Sequence, residues 1–137
     1  MKRQSMIVLL AAVTMIAGAP AWAGSPGDVQ PVRSDPDRAK EGRAAFSQVC
    51  STCHTSEPDK NRIGPSLFGV VGRHAGSASG YDYSDAMKKA SVTWSDESLD
   101  RYLVDPKNFV PGNKMPYMGV KNDQRRGDII AYLHTLR

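Results

Sequence analysis

The feature that most constrains this chain is a pair of cysteines with a histidine directly after it: Cys50-Ser51-Thr52-Cys53-His54. The chain contains no other cysteine. Two thiols at this spacing can each form a thioether with a vinyl group of one haem, and the adjacent imidazole can then ligate the iron. The motif predicts one c-type haem, bound covalently through Cys50 and Cys53, with His54 as an axial ligand.

Three other interpretations of the cysteine pair are open. A thioredoxin-type redox pair is expected inside a βαβ pattern, which the sequence does not show. Half of a zinc site would need two further ligands, and His74 and His134 are not spaced to supply them. The third is a disulfide between near neighbours. The histidine that completes the motif, together with the secretory start described next, favours haem attachment.

The first 23 residues have the pattern of a secretory signal peptide. Residues 2 and 3 are basic, residues 6–17 form a mostly apolar run, and residues 21–23, Ala-Trp-Ala, fit a small-x-small cleavage site. The apolar run is well short of the ~20 residues that span a bilayer. We therefore predict a signal peptide at 1–23 and a soluble periplasmic protein with no stable membrane insertion.

Composition excludes one class of partner. The chain has 18 basic and 14 acidic residues, a net charge of +4, and two of the basic residues lie in the predicted signal peptide. It contains no polybasic run and no basic strip interleaved with aromatic residues, which are typical of nucleic-acid-binding proteins. We expect no nucleic-acid partner, and the placement of individual lysines matters more than their total.

Beyond the signal peptide, the sequence predicts a single domain of short helices. Residues 24–34 contain Gly, Pro and Ser without apolar periodicity, and indicate a flexible N-terminus ahead of a domain at 35–137. Asp35 is a candidate N-cap, with Pro36 in the first turn of a helix that ends at the cysteines. Further helices are expected at 84–90, from a Ser95 cap to about Val104, and from an Asn122 cap to about Leu136.

Residues 55–83 and 105–120 are predicted to be loops, and no strand pair is evident. Loops of this length are unusual in a compact domain unless another group organises them. A haem supplies a large apolar face that so short a chain otherwise lacks. The predicted fold class is therefore all-α, with helices and long loops wrapped around one covalent haem.

The second axial ligand is not decided by the residues alone. Met115 follows Pro111 and Gly112 and precedes Pro116, so a rigid turn can present its thioether without a helix. A methionine can equally serve only in packing, so the choice stays open at this point. The candidates are His74, Met87, Met115, Met118 and His134.

Several motifs, taken together and in order, resemble the class I, mitochondrial-type cytochromes c, including their periplasmic bacterial members. They are CSTCH, IGPSLFGVVGR, YDYSDA, TW, YLVDPKNFVPGNKM and DIIAYL. The resemblance runs from about Ala39 to Leu136, and only the first motif is specific by itself. It implies the small cytochrome c fold and a one-electron carrier rather than an enzyme.

The resemblance also implies the iron ligands and their neighbours. His54 is the proximal ligand, with its ring N–H bonded to the carbonyl of Pro65. Met115 is the distal ligand, and His/Met ligation raises the reduction potential of a haem. Tyr102 lies near the methionine sulfur. Asn113 stands where the family usually has threonine, and its role is left unresolved.

Further positions are implied around the haem. Gly42 and Phe46 match the place where the first helix crosses the last, near Tyr132. Met87 departs from the family, which often has asparagine there. The residues implied to hold the haem propionates are Arg73, Tyr83 and Trp94.

The resemblance finally implies how the protein meets its partners. Lys107, Lys114 and Lys121 match positions around the exposed haem edge and are expected to steer docking to acidic patches. The expected donor is a quinol-oxidising cytochrome complex, and the acceptor a terminal oxidase, a photosynthetic reaction centre or a periplasmic reductase. We expect a monomer. The alternative is a haem-c enzyme or gas-binding sensor, which requires an open sixth coordination position.

Overall fold

A computed structural model describes residues 35–137 of the chain. The predicted signal peptide at 1–23 and the predicted flexible segment at 24–34 lie outside these residues and stay predictions. The described residues form five helices and one isolated β-bridge, between His74 and Thr93. The helices are α1 (Pro36–Val49), α2 (Asp85–Lys89), α3 (Asp96–Val104), α4 (Pro106–Phe109) and α5 (Asp123–Leu133).

Four helices begin directly after a residue whose side chain caps them, and three of these caps, Asp35, Ser95 and Asn122, were predicted. The Asp35 carboxylate accepts a hydrogen bond from the backbone of Asp37 at 3.0 Å, and the Asn122 amide oxygen accepts one from Arg125 at 2.7 Å. The Ser84 and Ser95 hydroxyls cap α2 and α3 in the same way. These bonds satisfy backbone N–H groups that have no partner inside the helix, which is why such short helices start at defined residues.

The segment 105–120, predicted to be one loop, contains α4. The Asp105 side chain caps it by accepting from the backbone of Asn108 at 3.2 Å. Pro106 is its first residue, where a missing N–H costs nothing and the fixed φ suits a helix. The same proline therefore ends α3 and begins α4.

The last helix is shorter than predicted. It ends at Leu133 rather than near Leu136, with His134 as its C-cap residue. The Leu136 carbonyl accepts a hydrogen bond from the backbone N–H of Gly69 at 2.6 Å, and the Leu136 side chain is buried. The end of the chain leaves the helix because this contact ties it to the loop that follows the haem motif.

The most extensive contact between helices is that of α1 with α5. It depends on Gly42, because a Cβ at this position would lie 1.8 Å from the carbonyl oxygen of Asp128. One turn further along, the ring of Phe46 meets the edge of Tyr132 at a centroid distance of 5.2 Å. The crossing predicted from Gly42 and Phe46 is therefore present, and it fixes the end of α1, where the cysteines lie.

Candidate haem site

An apolar cleft lies where the end of α1, α3, α5 and the long loops meet. Aliphatic and aromatic side chains form its walls, among them Val70, Leu99, Leu103, Ile129 and Leu133. Most of the residues predicted to contact a haem come from distant parts of the sequence and line this one cleft. They are Cys50, Cys53, His54, Pro65, Tyr83, Trp94, Tyr102, Asn113 and Met115.

The two cysteines sit on the turn that ends α1. Cys50 is the C-cap residue, and the backbone N–H groups of Cys53 and His54 both bond its carbonyl, at 3.1 and 2.9 Å. The two sulfurs are half-buried and are not joined in a disulfide. Burial raises the pKa of the Cys50 thiol to about 11, although nearby Arg125 opposes the shift. A redox-active CxxC pair instead has a lowered thiol pKa, so this environment does not favour the thioredoxin interpretation.

His54 is held so that one ring nitrogen remains for a ligand bond. Its Nδ1–H donates to the carbonyl of Pro65 at 2.8 Å, the contact that the resemblance implied. Burial lowers the pKa of His54, and the bond to Pro65 offsets part of this shift. At neutral pH the imidazole is therefore the neutral form that binds metal, with Nε2 as its lone-pair donor.

Gly64 is a site residue that the sequence analysis missed. A Cβ at this position would lie 2.4 Å from Cε1 of His54, so only glycine lets the ring approach the backbone this closely. The Gly64 N–H also bonds the carbonyl of Cys53 at 2.8 Å. The Gly-Pro pair inside the motif IGPSLFGVVGR was the available signal.

Met115 is turned toward a tyrosine that lines the same cleft. The Tyr102 hydroxyl donates to the Met115 sulfur at 3.4 Å. Burial raises the pKa of Tyr102 to about 12, so the phenol keeps its proton and remains a donor at neutral pH. The ring of Tyr102 is in turn packed against Trp94, at a centroid distance of 4.9 Å. These contacts fix the position of the thioether within the cleft.

Asn113 braces the segment that carries Met115. Its amide nitrogen donates to the carbonyls of Pro106 and Val110 at 2.7 and 2.8 Å, and its amide oxygen accepts from the backbone of Met115 at 2.8 Å. The Asn113 N–H closes a turn onto Val110 at 3.1 Å, with Gly112 at a φ of +86° as its third residue. Proline second and glycine third is the pattern of a type II turn.

The other candidates for a second axial ligand lie elsewhere, with one exception. The His74 ring bonds the Thr93 hydroxyl at 3.1 Å, and the His134 ring bonds the Asp96 carboxylate at 2.5 Å. Met118 is 82% exposed. Met87 alone shares the cleft with Met115, where it is buried.

Arg73 is not among the residues that line the cleft. Two of its guanidinium nitrogens donate to the carbonyls of Phe68 and Ser66, both at 2.9 Å. Its Nε–H is buried without a partner. Its charge opposes part of the rise that burial causes in the pKa of Tyr83, which does line the cleft. A buried N–H that lacks an acceptor fits an anionic group such as a haem propionate.

The three lysines predicted to dock partners differ in their surroundings. Lys114 lines the cleft, and its ammonium donates to the Asp82 carboxylate at 2.8 Å. The Lys121 ammonium donates to the carbonyl of Val104 at 2.6 Å. Lys107 is exposed on α4 and forms no ion pair with any residue in the described range.

The donor set of the cleft fits a haem and not a zinc ion. No group of three His, Cys, Asp or Glu side chains able to hold a metal ion occurs between residues 35 and 137. The cleft instead combines two thiols, a neutral imidazole and a thioether with apolar walls and the unpaired N–H of Arg73 nearby. Such a set suits a flat apolar macrocycle that carries its own iron and two carboxylates.

A family model described as Cytochrome c matches residues 39–137. The chain belongs to the cytochrome c family. As a cytochrome c it binds one c-type haem covalently, and Cys50 and Cys53 are the two cysteines with the attachment spacing. The helices and the cleft are those of the small all-α cytochrome c fold, as predicted. Cytochromes c are electron carriers, and this is the general function of the chain.

Curated and solved cytochromes c resemble this chain over most of their own length. Cytochrome c2 of Rhodopila globiformis is 47% identical over 97 residues, which is 71% of this chain and 92% of that protein. Cytochrome c of Euglena viridis is 46% identical over 99 residues, 72% and 97% of the two chains. The structure of cytochrome cH from Methylobacterium extorquens matches with a TM-score of 0.66 and 47% identity, over 71% of this chain and 97% of that one.

Among the helices of residues 35–137, none combines the length and the apolar character that crossing a membrane requires.

Proposed function

We propose that the chain is a soluble periplasmic one-electron carrier in which His54 and Met115 are the two axial ligands of the haem iron. The observation that carries this proposal is the Tyr102–Met115 contact, in the same cleft that contains the CxxCH residues. When bound, a haem with two protein ligands supplies one-electron transfer between ferric and ferrous iron, with no coordination position open to a substrate. We accordingly propose that the protein is not an enzyme.

The residues around the two ligands restrict their movement. The Pro65 carbonyl fixes the ring of His54, and the Tyr102 hydroxyl with the Asn113 amide fixes the Met115 segment. Both ligand side chains are half-buried between the aliphatic walls of the cleft. Because these contacts are made to protein groups, a change in iron charge requires little reorganisation of the chain, which is what rapid electron transfer needs.

The proposed setting follows from the N-terminal pattern and the surface charges. A signal peptide at 1–23 would export the chain before haem attachment. Lys107, Lys114 and Lys121 would then guide it to acidic surfaces of a quinol-oxidising complex as donor. The proposed acceptor is a terminal oxidase, a reaction centre or a periplasmic reductase. The proposed state in solution is a monomer.

The decisive experiment is the visible spectrum of the exported holoprotein. We expect a sharp reduced α-band of c-type haem and, in the oxidised form, the weak far-red band of methionine ligation. Met115→Leu should abolish the far-red band, because leucine fills a similar volume but cannot ligate iron. Met87→Leu, the same exchange at the other methionine of the cleft, should retain it.

A different result would indicate the alternative function. An oxidised spectrum without the far-red band, together with ready binding of carbon monoxide, would indicate an open coordination position and a haem-c enzyme or gas sensor. Loss of the band in Met87→Leu but not in Met115→Leu would reassign the distal ligand.

A further inference from the structure

An exposed carboxylate joins two walls of the haem cleft. The Lys114 ammonium donates to Asp82 twice, at 2.8 Å to the carboxylate and at 2.8 Å to the backbone carbonyl. The Lys88 ammonium donates to the other carboxylate oxygen at 3.2 Å. Asp82 and Lys114 are 32 residues apart in sequence, so these contacts connect separate segments rather than stabilise one turn.

Both segments line the cleft. Lys114 directly precedes Met115, and Asp82 lies between two tyrosines that line the cleft. The tyrosine side is anchored: the Tyr81 hydroxyl donates to the carbonyl of Ile63 at 2.8 Å, and its ring packs against Tyr83 at 4.8 Å. The Met115 segment is therefore tied to a wall that is itself fixed.

The charges of Asp82, Lys88 and Lys114 favour these contacts at neutral pH. Hydrogen bonds from Lys114 and Lys88 lower the pKa of Asp82, so its carboxylate is ionised. The Asp82 side chain is 81% exposed and that of Lys114 is 51% exposed. Water and salt weaken such a pair, so its effect is modest and falls as ionic strength rises.

We propose that Asp82 is a positioning residue whose carboxylate acts as a latch, holding the Met115 segment over the cleft through Lys114. The Asp82 latch consists of Asp82, Lys88 and Lys114. It restricts access of external ligands to the distal side of the haem. It complements Asn113, which ties the same segment to α4 from the other direction. The proposal rests on the proposed function, because it requires Met115 as the distal ligand.

The test is the affinity of the oxidised, exported holoprotein for imidazole, which must displace the distal ligand to bind. Imidazole is used in its neutral form, so that the charge removed by a substitution does not itself alter the attraction between protein and ligand. Asp82→Asn keeps the backbone carbonyl and removes only the carboxylate charge. We expect imidazole to bind roughly two- to fivefold more tightly to this variant at low ionic strength, with the difference shrinking in high salt.

Asp85→Asn is the matched control. It removes the same charge three residues away, and Asp85 forms no ion pair with any described residue. Its imidazole affinity should equal that of the parent protein. In a double-mutant cycle with Lys114→Gln, the effect of Asp82→Asn should become smaller, because its main partner is gone. Asp82→Glu should restore most of the parent behaviour.

Two results would contradict the latch proposal and leave the proposed function unaffected. The first is a normal far-red band in the parent protein with equal imidazole affinities for Asp82→Asn and Asp85→Asn. The second is an increase for Asp82→Asn that is unchanged in the Lys114→Gln background. Absence of the far-red band in the parent protein would instead overturn the proposed function, and the latch with it.

Discussion

At the scale of single residues, Asn113 shows how one side chain can fix a segment without regular secondary structure. Its amide nitrogen donates to the carbonyls of the first residue and the C-cap residue of α4, and its amide oxygen accepts from the N–H of Met115, the proposed ligand. A threonine at this position has one hydroxyl and cannot make all three bonds at once. The asparagine therefore makes the Met115 segment an extension of α4 rather than a free loop.

The bracing role of Asn113 predicts the outcome of Asn113→Ala. Removing three hydrogen bonds, each with a net value of about 1 kcal/mol, should lower the free energy that holds the Met115 segment by about 1–3 kcal/mol. When the oxidised variant is heated, its far-red band should then disappear at a lower temperature than that of the parent protein. The α-band of the variant, measured after reduction, should persist. Asn108→Ala is the control, since that amide bonds the Asp105 carboxylate on the exposed side of α4. Equal band-loss temperatures in the two variants would contradict the bracing role.

The same residues show which parts of the site the sequence could predict. That the cysteines and His54 lie together in one cleft could be predicted, because the haem attachment motif occupies five consecutive residues. The role of Asn113 could not, since its partners are backbone carbonyls of a helix that the sequence indicated only as loop. Arg73 is a related case: carbonyls anchor its guanidinium, and no side-chain pattern reports where backbone carbonyls lie.

At the scale of elements, helix starts were predictable and helix ends less so. A start depends on a local cap, as at Asp35 and Asn122, and all three predicted caps are present. The end of α5 depends on the bond from Gly69 to Leu136, a tertiary contact between residues far apart in sequence. Apolar periodicity continues through Leu136 because that side chain stays buried after the helix has ended.

The crossing of α1 and α5 leads to a prediction for Gly42→Ala. Alanine favours a helix interior by about 1 kcal/mol relative to glycine. Here the added methyl group would meet the rigid Asp128 carbonyl, so α1 must move away from α5. We expect the clash to win, with a net loss of about 2 kcal/mol in unfolding free energy. Thermal unfolding followed by circular dichroism should shift down by roughly 8–16 °C.

Arg43→Ala serves as the control for this experiment. Arg43 is the next residue of α1 and lies on its exposed face, so its removal should leave the melting temperature nearly unchanged. A Gly42→Ala protein as stable as the parent would mean that the two helices can separate slightly at no cost. The close approach would then not be what fixes the end of α1.

At the scale of the whole molecule, the proposed docking to acidic partners depends on which cationic groups lack an ion-pair partner among the described residues. Lys114 already has a carboxylate partner in Asp82, whereas Lys107 has no ion-pair partner among the described residues. An acidic partner that binds Lys114 must replace Asp82, so little is gained in the docked complex. A partner that binds Lys107 replaces only water. Long-range steering is different, because it depends on charge and not on the contact each charge makes.

This difference predicts distinct kinetics for two substitutions. At low ionic strength, Lys107→Gln and Lys114→Gln should each slow association with a detergent-solubilised terminal oxidase by roughly two- to fivefold. Only Lys107→Gln should also speed dissociation appreciably, since it alone removes an ion pair gained on docking. Stopped-flow measurements over a range of salt concentrations separate the two rates. Lys40→Gln, an exposed lysine of α1 outside the cleft lining, controls for net charge. Equal dissociation rates for the two variants would show that the Asp82 partner does not diminish the contribution of Lys114.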